Sequence, residues 1–80
     1  MAAEARDGSV YISGKELQHG DEIEWLDKSG AWVSDRAVVT VHDGVAEVST
    51  VIEEGSVGTV LTHELSRIRW PEPRPPYFVD

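Results

Sequence analysis

Gly20-Asp21-Glu22-Ile23-Glu24-Trp25-Leu26 decides the fold class of this chain. Ile23 and Trp25 alternate with Glu22 and Glu24, so the stretch has one apolar and one acidic face. That period belongs to a strand with one side buried and the other in water. Asp27-Lys28-Ser29-Gly30 follows as a polar loop of hairpin length, and Ala31-Trp32-Val33 begins the return.

Working outward, residues 31–41 carry a polar break at Ser34-Asp35-Arg36, which reads as a bulge or bend. His42-Asp43-Gly44 holds the Asp-Gly pair of a tight hairpin. Residues 45–52 are rich in β-branched side chains, as strands prefer. Glu53-Glu54-Gly55-Ser56 turns into Val57-Gly58-Thr59-Val60-Leu61-Thr62, where Gly58 suggests a bulge or a close backbone approach. Thr62-His63-Glu64-Leu65-Ser66 is too short for a stable α-helix and reads as one 3₁₀ turn. Ile68 and Trp70 then alternate with Arg67 and Arg69 until Pro71 ends the strand.

Upstream, Val10-Tyr11-Ile12 is a short strand and Ser13-Gly14-Lys15 a turn. Residues 1–9 are polar and aperiodic, predicting a disordered N-terminal arm. Residues 10–70 are expected to form one all-β domain, a small barrel of five to six short antiparallel strands. Residues 71–80, with prolines at 71, 73, 75 and 76, predict an extended polyproline tail.

Composition narrows the function classes. The chain has 80 residues, a net charge of −8 and no cysteine. One thin core without disulfide staples is therefore expected, and a structural zinc site is disfavoured. No apolar run is long enough for a membrane helix, and the acidic N-terminal stretch does not read as a signal peptide. A cytoplasmic location is the expectation. Phosphate neutralisation needs clustered Lys and Arg, so direct nucleic-acid binding is disfavoured. An acidic surface keeps a protein soluble or steers a basic partner.

At this point the order of features resembles an SH3-like barrel of the Tudor-like branch. The carriers are Gly20-Asp21-Glu22-Ile23-Glu24-Trp25, then Gly30-Ala31-Trp32, Ala37-Val38-Val39, the Asp43-Gly44 turn and Glu64-Leu65-Ser66-Arg67-Ile68-Arg69. The resemblance covers about fifty residues and implies a barrel fold. Tudor-like domains that bind methylated lysine or arginine use an aromatic cage, which the resemblance would build from Trp25 and Trp32. The chain departs from that pattern at Val41-His42-Asp43-Gly44, which offers only a histidine.

Trp25 is in phase with Ile23 and is assigned to the core. Trp32, Arg67, Arg69, Trp70, Tyr77 and Phe78 are the candidate partner-binding residues, because Trp, Tyr and Arg are enriched at binding hot spots. Tyr77-Phe78-Val79 either folds back on its own domain or inserts into a partner or a second copy. Glu22, Glu24, Asp27, Asp35, Glu53 and Glu54 form the candidate acidic surface. His19, His42 and His63 come from separate turns and lack the convergence a metal needs. Ser66, His63 and Asp43 lack a nucleophile elbow, so no enzyme and no cofactor is expected.

These residues predict a non-catalytic interaction module that binds a basic protein surface of a larger complex. One alternative is an acidic inhibitor, phage or mobile-element encoded, that occupies the nucleic-acid site of a transcription or replication protein. Another is a reader of methylated residues. Self-association remains open.

Overall fold

The computed structural model describes residues 3–71. Its strands are β1 (Ala3–Arg6), β2 (Ser9–Ile12), β3 (Lys15–Leu17), β4 (Glu22–Leu26), β5 (Trp32–Arg36), β6 (Val38–His42), β7 (Val45–Glu54), β8 (Val57–His63) and β9 (Ile68–Arg69). A 3₁₀ turn at Leu65–Arg67 precedes β9. The chain is all-β, but its described strands do not close into a barrel. They form three antiparallel three-stranded sheets, β1-β2-β3, β5-β4-β9 and β6-β7-β8.

The turn chemistry explains why neighbouring strands pair. Asp7-Gly8, Ser13-Gly14 and Asp43-Gly44 each hold both residues at φ between 53° and 83°. That is the requirement of a two-residue type I′ hairpin, whose twist matches the flanking strands. Over the described residues 3–9, a paired strand and the Asp7-Gly8 turn stand in place of the expected disordered arm. Ala3–Arg6 pairs with β2 in register from Ala3↔Ile12 to Arg6↔Ser9. This pairing sets Arg6 4.4 Å over the Tyr11 ring and 3.2 Å from Glu4.

The expected break in residues 31–41 falls at Ala37 rather than at Ser34-Asp35-Arg36. Ala37 N–H donates to Asp21 O and Ala37 O accepts from Gly20 N–H, both at 2.8 Å. The chain there leaves β5 and enters β6 in another sheet, so what looked like one bent strand is two. Gly58 makes no bulge, since β7 and β8 pair without interruption from Val48↔His63 to Glu54↔Val57.

One core joins the three sheets. Val10, Ile12 and Leu17 come from the first, Ile23 and Ile68 from the second, Ala46 and Val48 from the third, with Ala37 between. Each fully buried aliphatic side chain contributes about 1.5–3 kcal/mol. Val10, Ile12, Ile23 and Val48, all buried, therefore dominate this small centre. Trp70 packs against it from the end of β9, where its Nε1–H donates to Ile12 O at 2.8 Å. Trp70 thus ties the C-terminal strand to the N-terminal sheet. The distal half of the β7–β8 hairpin extends beyond the core, and its Val51, Val57 and Val60 are exposed.

Candidate functional site

β4 and β8 build the floor of a groove. Trp25 lies on β4 in phase with buried Ile23, and the Trp25 and His63 ring centroids are 4.8 Å apart. Thr50, fully buried on β7, holds the other side of the imidazole, its Oγ1 2.8 Å from His63 Nε2. Because Val48 opposes His63, Thr50 opposes Leu61 and Ile52 opposes Thr59, these six side chains share one face of the hairpin. Leu61 and Ile52 carry that face outward past the core. With Trp25, Asp27, Lys28 and Ser29 they line an open, largely apolar groove of about 500 Å³. A second hollow of about 250 Å³ continues it past His63 to Glu64 and Arg67.

The rim is fixed by hydrogen bonds of the β4–β5 loop. Asp27 Oδ1 accepts from Ser29 Oγ at 2.6 Å, Ser29 N–H at 2.8 Å and Ala31 N–H at 3.0 Å. The Ser29 hydroxyl and then the Ala31 N–H hold the Asp27 carboxyl below its ordinary range, since both bond its charged form. Arg67 Nη2 reaches across from the 3₁₀ turn to Leu26 O at 3.1 Å and Asp27 O at 3.2 Å. Arg67 is thus a brace of the loop. Burial against Trp25 lowers the His63 pKa, with Asp35 opposing the shift. Trp25 Nε1 is buried without an acceptor among the described residues. Such an unmet donor costs about 1–3 kcal/mol.

The expected partner-binding residues are distributed elsewhere. Trp32 is 37% exposed and lies beneath Arg69, whose guanidinium carbon is 3.9 Å from the ring centroid. Arg69 Nε also donates to Glu24 Oε1 at 2.8 Å. Strand register opposes Trp25 to Val33 and Trp32 to Leu26. Trp25 and Trp32 therefore occupy opposite faces of β4–β5 and cannot wall one aromatic cage. Trp70 serves the core, as described above. Tyr77, Phe78 and the rest of the proline-rich segment after Pro71 lie outside the described residues.

The six acidic candidates also separate. Glu24 is paired with Arg69, Asp27 holds its loop, and Asp35 Oδ1 accepts from Arg36 N–H at 2.8 Å. Glu22 is exposed at the start of β4, whereas Glu53 and Glu54 are exposed at the hairpin tip. Among the described residues no cluster of three or more His, Asp or Glu side chains is arranged to hold a metal. His19 instead takes Val39 N–H on Nδ1 at 3.3 Å. No helix among the described residues is long and apolar enough to cross a membrane.

The sequence reading missed Ile52, Leu61 and the groove itself. The signal was present in alternation: Thr50 and Ile52 share the phase of buried Val48. What the pattern alone lacked was the length of the hairpin, which carries that phase beyond the core. Comparison with protein-family models, with curated proteins and with solved structures returned no match.

Proposed function

We propose that the chain is a non-catalytic protein-interaction module whose groove takes an apolar segment of a basic partner. The observation that supports this is the groove between Trp25, Ile52 and Leu61, which stays open although its lining is largely apolar. Pockets of several hundred Å³ with apolar walls and a few polar rim groups are the usual form of a recognition site. The net charge of −8 adds long-range attraction for a cationic partner and disfavours an acidic one.

The test is an array of peptides with an apolar centre flanked by either lysines or glutamates. Lysine-flanked members are expected to bind in preference, with the wild-type chain quenching or shifting tryptophan emission. Leu61→Glu, which places a carboxylate in the groove, is expected to remove that binding while the fold remains. Equal capture of both peptide series, or unchanged binding by Leu61→Glu, rejects the reading.

The methylated-residue reading loses its proposed site, because Trp25 and Trp32 are on opposite faces. The nucleic-acid-mimic reading has less support than the groove. Glu24, Asp27 and Asp35 are engaged within the domain, so they do not make a free acidic stripe.

A further inference from the structure

Among the described residues, strand β8 is an edge of its sheet, paired with β7 on one side only. Its sequence, Val57-Gly58-Thr59-Val60-Leu61-Thr62-His63, contains no Lys, Arg, Asp, Glu or Pro. Proteins ordinarily protect an edge with charges, prolines, bulges or a short strand. Here the strand is seven residues long and its register with β7 is continuous. The other described edges are different. β1 carries Glu4 and Arg6, β3 carries Lys15 and Glu16, and β5 carries Asp35 and Arg36. β9 has two residues, and on β6 the Val39 N–H is taken by His19.

Both faces beside this edge also carry exposed apolar side chains. Val51 and Val60 oppose each other on the outer face at 42% and 66% exposure. On the inner face, Ile52 and Leu61 lead into the groove, with Val57 63% exposed near the tip. A solvated hairpin normally alternates apolar and polar faces, so this one has the surface of a central strand pair lacking its next strand. In a two-residue hairpin closed by Glu54 and Val57, the closing residues bond each other and alternate pairs repeat that bonding. The main-chain groups of Gly58, Val60 and Thr62 are then directed away from β7.

We infer that the partner adds a β-strand to the free edge of β8, with one apolar side chain seated in the groove beside Leu61. This rests on the interaction-module reading and specifies its mode. The occupant is an extended segment of another protein, apolar at its centre and basic at its ends. Charge complementarity selects it: Glu53 and Glu54 stand at one end of β8 and Glu64 at the other, all exposed. A second copy of the chain would bring like charges together at the same places. Strand addition draws affinity from main-chain hydrogen bonds and specificity from pockets for alternate side chains; β8 offers the outward main-chain groups and the groove offers a pocket.

The probe is a capped peptide, KKTVIVTKK, titrated into isotope-labelled protein and followed by amide spectra. Shifts and slowed hydrogen exchange are expected at Gly58, Val60 and Thr62. The same peptide N-methylated at its central Val-Ile-Val keeps its charges and loses its main-chain donors. It is expected to bind at least about tenfold more weakly, as is the wild-type peptide to Val60→Pro, since proline is tolerated where an edge N–H faces solvent. Equal binding of the methylated and unmethylated peptides overturns strand addition. Should Leu61→Glu still abolish that binding, the groove reading survives the failure of this one. A β8-paired dimer that the peptide does not dissociate, seen by sedimentation, overturns the choice of partner in favour of a second copy.

Discussion

Thr50 Oγ1 and His63 Nε2 meet at 2.8 Å across β7 and β8, joining a fully buried hydroxyl to the imidazole that stacks on Trp25. The neutral ring satisfies this contact, and burial disfavours the charged ring. Folded His63 therefore titrates below the ordinary histidine value of about 6.5. Between those two values the unfolded chain binds more protons than the folded one, so stability rises with pH in that window. Urea midpoints measured from pH 7.5 down to 5 are expected to fall, and His63→Gln is expected to lose that component. A slope identical in both proteins would show that other groups carry it.

Arg69 is held by two partners, Glu24 and the face of Trp32. Half-exposed ion pairs contribute about 0.2–1 kcal/mol, and an exposed cation–π contact about 0.5–1 kcal/mol. Arg69→Ala should lower stability by about 1–2 kcal/mol and uncover Trp32 to acrylamide quenching. The double-mutant cycle with Glu24→Gln should return a coupling of no more than about 1 kcal/mol.

Trp70→Phe keeps the ring against the core but removes the donor to Ile12 O. Ile12 O keeps the Lys15 N–H across the hairpin, so losing the indole bond should cost about 0.5–1.5 kcal/mol. Hydrogen exchange is expected to quicken across β1, β2 and β3 more than along β7, because the lost bond ties β9's end to the first sheet. Uniform acceleration would argue against that tie.

Two glycine substitutions should differ in sign. Gly44 has φ of 78° and open space around its absent Cβ, so alanine there meets backbone strain alone, about 1–2 kcal/mol. Gly58 has no positive φ, and a Cβ would sit 3.5 Å from Val51 Cγ1, an ordinary contact. Gly58→Ala is expected to stabilise by about 0.5–1 kcal/mol, since glycine weakens a strand interior by that amount. Thermal melts of the two variants check both directions.

Local chemistry made much of the fold readable. Alternation at Ile23 and Trp25, the Asp43-Gly44 turn, the 3₁₀ turn near Leu65 and the short closing strand at Ile68 are all properties of neighbouring residues. Closure was different, because it depends on where Ala37 hands the chain from β5 to β6. Two backbone hydrogen bonds to Gly20 and Asp21 set that point, and backbone bonds leave no mark in side-chain pattern. The N-terminal strand was hidden by composition: Ala3, Glu4, Ala5 and Arg6 are poor strand formers, and their pairing with β2 overrides propensity.

The site was less readable for a related reason. Trp32, Arg67, Arg69 and Trp70 were singled out by residue type, yet their side chains mostly hold the domain together. Ile52 and Leu61 carry no chemical signature, and only the overhang of the hairpin places them in the groove. The proposed interaction surface, made of ordinary aliphatics, is defined by what fails to cover it.

The order of sheets also bears on how the chain acquires its structure. Every strand pair except β4–β9 joins consecutive strands, with Glu24↔Arg69 and Trp25↔Ile68 spanning most of the domain. Short-range pairings close small loops and form early, whereas a distant pairing must await them. On a growing polypeptide, three ribbons can therefore assemble as they emerge, and the two-residue β9 comes last as the clasp that brings them to a common centre.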